Sequence, residues 1–143
     1  MKLLVILFLN MLLASCFVQK SKDSQNCQLI KNSIETLYFQ KEFAVYQFDT
    51  ILIYDKPKAI QNCENVNSTD KKVQITIDRM YNLSPEKYSP YKPKNLIILY
   101  DFKRQRGKYK LFFWRPYSGA SVTLTYKIKR GAYKLIDCSI GSF

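Results

Sequence analysis

Between residues 95 and 140 four β-rich runs follow one another with very little chain between them, and this leaves few ways to fold. The runs are Asn95 to Lys103, Lys108 to Arg115, Ser121 to Lys129 and Ala132 to Ile140. Between them stand Arg104-Gln105-Arg106-Gly107, Pro116-Tyr117-Ser118-Gly119-Ala120 and Arg130-Gly131. Connections this short cannot carry a crossover, so neighbouring runs must pair antiparallel as a β-meander. The glycine in each supplies the positive φ that tight turns demand. In the third run Val122, Leu124, Tyr126 and Ile128 alternate with Ser121, Thr123, Thr125, Lys127 and Lys129, so one face is dry and the other wet. In the fourth, Ile136, Cys138 and Ile140 share one phase, assigned here to the core face.

Upstream, Cys27 to Gln40 reads as one helix. Cys27, Ile30, Ile34, Leu37 and Tyr38 make an apolar stripe of period near 3.6. Ser24 stands where an N-cap is expected. Thr50 to Tyr54 is a β-rich run stopped by Asp55-Lys56-Pro57, and Val73, Ile75 and Ile77 alternate with polar residues as a half-buried strand. Gln61 to Asp70 is a polar loop, and Asn82 to Asn95 holds Pro85, Pro90 and Pro93, which break ladders and helices alike. The expected fold is α+β, an N-terminal helix packed on an antiparallel β-meander in two layers. Its core should include Ile34, Leu37, Ile75, Val122, Leu124, Tyr126, Ile128 and Ile136. This order of elements resembles cystatin-like domains, a likeness of architecture that carries no function by itself.

The first residues read as targeting. Lys2 precedes an apolar run from Leu3 to Leu13 that is too short to span a bilayer, which takes about 20 apolar residues. The run closes on Leu13-Ala14-Ser15-Cys16, which resembles the lipobox of bacterial lipoproteins: an apolar residue, two small ones, then cysteine. The resemblance implies cleavage before Cys16 and diacylglyceryl modification of its thiol. The chain then divides into a signal peptide (1–15), a lipidated tether (16–26) poor in apolar groups, and one domain (27–143). The expected place is the bacterial cell envelope, membrane-anchored through the lipid, with plain secretion as the alternative.

Charge is lopsided. The chain carries 23 Lys and Arg against 11 Asp and Glu. Beyond residue 90 only Asp101 and Asp137 are acidic, against an excess of Lys and Arg. Arg104, Arg106, Lys108 and Arg130 crowd around the turns and are the candidate anion-binding residues. Export disfavours nucleic acid as the partner and favours an anionic envelope polymer, lipid head groups or an acidic protein. A hydrolase or protease inhibitor is the alternative function. Basic charge argues against inhibiting lysozymes, which are generally basic themselves.

Catalysis finds little support. With no histidine the commonest general base is missing, and no Ser–His or Cys–His nucleophile pair can form, so no catalytic residue is assigned. An enzyme working without histidine is the least favoured reading. No cofactor or metal is expected, since neither a phosphate-binding glycine loop nor a CxxC pair is present. Besides Cys16, three thiols remain in a compartment that oxidises them. Cys27 on the helix stripe and Cys138 on the core face make Cys27–Cys138 the first pairing, with Cys27–Cys63 close behind. Finally, Phe112 and Trp114 project from the strand face opposite Leu111 and Phe113. They form either an aromatic binding shelf edged with cations or a second small core under the proline-rich loop.

Overall fold

The computed structural model describes residues 24–63, 66, 70–86 and 92–143. The expected signal peptide, Cys16 and the expected tether up to residue 23 lie outside the described residues. The first helix, α1, is already helical at residue 24 and runs to residue 34. The second, α2 (Leu37–Glu42), is short and leads through a 3-10 turn, Val45–Gln47, into the sheet. The strands are β1 (Thr50–Asp55), β2 (Lys72–Thr76), β3 (Leu96–Gln105), β4 (Lys108–Trp114), β5 (Ala120–Lys129) and β6 (Ala132–Ser142). They form one sheet in the order β2-β1-β3-β4-β5-β6.

The meander β3 to β6 is antiparallel throughout, as its short connections require. The expectation of a wholly antiparallel sheet nevertheless fails, because β1 lies parallel to both β2 and β3. The long polar and proline-containing connections after β1 and β2 have room for the crossovers that parallel pairing needs.

The single helix expected over 27–40 is two. Thr36 takes an extended conformation, and its Oγ1 accepts a hydrogen bond from the Phe39 amide (3.2 Å) while donating to the Ser33 carbonyl (2.8 Å). A threonine so placed is an N-cap, and it starts a new helix in a new direction. The apolar stripe therefore ends at Ile34. Leu37 and Tyr38, expected inside, are 79% and 48% exposed, while Phe39 and Phe43 take the buried positions. At the other end residue 24 is helix rather than cap, and residues 24–26 belong to α1 rather than to the tether. Asn26 Nδ2 donates to the Ala59 carbonyl (2.9 Å).

One face of the sheet closes the main core. Leu29, Ile30, Ile34, Phe39 and Phe43 form a single cluster with Ile51, Ile53, Ile97, Leu99, Leu111, Phe113, Val122 and Leu124. Phe39 meets Phe43 and Phe113 edge-on at centroid distances of 4.8 and 5.0 Å. Ser33 Oγ donates to the Leu29 carbonyl and lies 3.3 Å from the Tyr126 hydroxyl, tying α1 to β5. Ile75 sits half-buried against this cluster.

Besides Leu37, two more expected core residues are outside. Ile136 is the extra residue of a β-bulge: Leu135 pairs with Tyr126 and Asp137 with Thr125, so the phase of β6 changes there. Ile136 is 40% exposed, and only beyond it does Cys138 reach the core face, opposite Leu124. Ile128, 41% exposed, lies near the β5–β6 turn.

The disulfide is Cys27–Cys63, not Cys27–Cys138. Cys27 sits by the chain that follows β1, whereas Cys138 is on the far edge strand β6. At about 4.8 Å per strand, β1 and β6 are about 19 Å apart, beyond any bridge. Cys138 is a half-buried free thiol, and burial pushes its pKa up, which keeps it protonated and weakly nucleophilic.

Candidate functional site

The site begins with two turns. The strand of β3 continues through Gln105, so the β3–β4 connection is only Arg106-Gly107, and the β5–β6 connection is Arg130-Gly131. Both residues of each turn have positive φ: 50° and 72° in the first, 50° and 76° in the second. This is the mirror-image two-residue turn whose twist suits antiparallel strands, and it ordinarily uses Asn-Gly. Space around a Cβ is open at Gly107 and Gly131, so glycine is there for its φ alone. In both turns the first position, where an L side chain is strained, holds arginine.

In a meander alternate turns lie at the same end, so Arg106 and Arg130 stand on one pole of the sheet. Behind them the register brings lysines together. Lys108 of β4 faces Lys127 of β5, which faces Lys134 of β6, a cross-strand row of three cations. One step further in, Lys103 faces Lys110. Directly opposed like charges destabilise a sheet. All of these cations, and Lys129, are exposed. Asp101 gives local relief, its carboxylate 2.7 Å from Lys103 Nζ.

On the outer face Asp101, Lys103, Gln105, Lys108, Lys110 and Thr125 line a shallow groove of about 260 Å³. Of the four residues named from the sequence, Lys108 lies in this groove, and Arg106 and Arg130 are at the tips. Arg104 points to the other face, its guanidinium 5.3 Å from the centre of the Tyr109 ring. Lys110 and Lys134 went unnamed. Counting back from Arg130-Gly131 reaches Lys134, whereas Lys110 depends on β3 running through Gln105, which the four-residue reading of the first connection conceals.

Phe112 and Trp114 do not form an open shelf. Trp114 is 3% exposed and clusters with Tyr54, Leu96 and Ile98, beneath Leu52, Tyr81, Leu83, Tyr100 and Phe112. The ring of Phe143 closes over both, with centroids at 6.0 Å from Phe112 and 5.9 Å from Trp114. Tyr81 and Leu83 come from the connection between β2 and β3, so that connection covers a second small core.

The buried charged groups are committed to structure. Asp55 accepts from the amides of Ala59 (3.0 Å) and Ile60 (2.8 Å) and so holds the turn after β1. Burial pushes its carboxyl above the usual range, against the pull of those amides. Arg115 donates to the carbonyls of Lys94 and Phe43, joining the start of β3 to the end of α2, and burial lowers its pKa. Among the described residues no group of His, Cys, Asp and Glu side chains could hold a metal ion. What the basic pole can do chemically is attract and hold anions. No protein-family model matches the chain, nor does any curated protein or solved structure.

Proposed function

We propose that the chain is an exported, lipid-anchored binding protein of the bacterial envelope, without catalytic activity, that engages an anionic partner through the pole formed by the β3–β4 and β5–β6 hairpins. The observation that carries this reading is the row Lys108–Lys127–Lys134 capped by two strained arginine turns. Each of these choices costs local stability. Making them all at one pole has a physical rationale if an anion completes the arrangement. The segment Leu13-Ala14-Ser15-Cys16 supports lipidation at Cys16 by its likeness to the lipobox. A cystatin-like reading of the architecture draws support from the cluster joining Leu29, Ile30 and Ile34 to Val122 and Leu124, with β1 and β2 added beside the meander.

The test uses immobilised heparin as a polyanion probe. The mature chain from residue 16, carrying Cys16→Ser, should be retained at low salt and released as salt rises, because screening shortens from about 10 Å at 0.1 M to about 3 Å at 1 M. Arg104→Ser, Arg106→Ser and Arg130→Ser together should release it at much lower salt. Removing the same charge elsewhere, with Lys72→Ser, Lys92→Ser and Lys94→Ser, should have a small effect. Equal effects of the two triples would refute a site at this pole.

A further inference from the structure

Resting on that reading, we infer that the anionic partner is the headgroup surface of the membrane that holds the anchor, so the domain stands on the bilayer with its hairpin tips down. Two observations and one energetic argument lead there. The first is shape. Arg106 and Arg130 are the tips of adjacent hairpins at one end of the sheet, with Lys108, Lys127 and Lys129 just behind, and all are exposed. Cations at projecting tips suit a broad, laterally mobile anionic surface, which needs no matching cleft. The shallow groove beside them is open along the outer face and buries no cation.

The second observation is reach. The start of α1 is fixed beside the C-terminal end of β1, through Asn26 on Ala59 and through Cys27–Cys63. Residues 16–24 extend over at most about 28 Å at about 3.5 Å per residue. From the level of Leu99, which pairs with Asp55, β3 runs on to Gln105, about 20 Å at about 3.3 Å per residue. An anchor at Cys16 can therefore lie in the plane of the tips. It could also serve other orientations, and electrostatics decides among them.

Energetically, a weak contact is enough for an anchored domain. Tethering raises the local concentration of lipid surface around the domain, so weak contacts suffice to hold it. Anionic headgroups attract each nearby Lys or Arg by an amount worth about a fivefold change in binding. The competing orientation would place the exposed apolar side chains Leu37 and Tyr46, on the helical layer, against the bilayer.

The experiment uses the mature chain with Cys16→Ser, mixed with phosphatidylglycerol-containing vesicles and, separately, with pure phosphatidylcholine vesicles. Binding should be confined to the former, and Arg106→Asn with Arg130→Asn should weaken it by about 25-fold. On anionic vesicles, an amine-reactive label should be excluded from Lys108, Lys127 and Lys129 but should still modify Lys41 and Lys94. Protection of Lys41 with free Lys108 would overturn the orientation. Retention on heparin without binding to anionic vesicles would overturn the membrane as partner while leaving the anion-binding function standing. Failure on both would overturn the two together.

Discussion

Replacing Arg106 and Arg130 with asparagine should make the protein more stable and a poorer binder at once. Both arginines sit at φ 50°, the left-handed region in which a side chain with a Cβ is strained. Asparagine tolerates that region and is the ordinary partner of glycine in this turn. Relief of about 0.5–1 kcal/mol is expected at each turn, and the two should add because they lie on separate hairpins. The loss of two cations from a pole where lysines already oppose one another acts in the same direction. With an unfolding entropy of about 2.1 cal/mol/K per residue over about 120 residues, a total of 1–2 kcal/mol raises Tm by about 4–8 °C. Calorimetry gives the Tm, and heparin retention measured on the same samples gives the binding. The reasoning fails if Tm is unchanged or lower, since the turns would then not be strained. It also fails if stability rises while binding is untouched, since the arginines would then have no anion to meet.

Other consequences follow from the same geometry. Cys27 and Cys63 are 36 residues apart, and in the chain-entropy account a loop of that size is worth about 4 kcal/mol, so Cys27→Ser with Cys63→Ser should lower the urea-unfolding free energy by about that much. A loss below about 1 kcal/mol would contradict the placement of that bridge. Burial raises the pKa values of Tyr126 and Tyr133, so the folded state favours their neutral phenols. The stability they contribute is complete below pH about 10 and is lost as pH rises through their folded values. Circular dichroism against pH should show alkaline unfolding that Tyr126→Phe delays. A Cβ at Gly119 would lie 2.7 Å from the Phe143 carbonyl oxygen at a φ of +74°, so Gly119→Ala should displace the end of β6 from the Trp114 cluster and raise Trp fluorescence quenching by acrylamide. Unchanged quenching would sink that claim.

The antiparallel order of the meander was legible because its connections are too short for any crossover. What could not be read was decided by single side chains against a periodic background. Thr36 interrupts a stripe that continues in the sequence through Leu37 and Tyr38, because a cap competes with helix continuation in a way periodicity does not record. One bulge at Ile136 changes the phase of β6, and a period-two reading has no means of seeing it. The parallel placement of β1 depends on crossovers through connections with no pattern of their own, and with β1 so placed the Cys27–Cys138 pairing became impossible. The tip arginines were visible in the sequence. Their strain was not, because it needed the two-residue turn that the structure shows in place of a four-residue loop.

The most direct test of the basic pole as a binding site is an amide chemical-shift titration of the chain from residue 16, carrying Cys16→Ser, with a short heparin fragment at low salt. The account predicts shifts concentrated in residues 103–110 and 127–134, disappearing together as salt is raised, with residues 37–47 and 115–119 unmoved. Shifts centred on 37–47, or spread evenly over every exposed lysine, would show that this pole is an ordinary solvated surface.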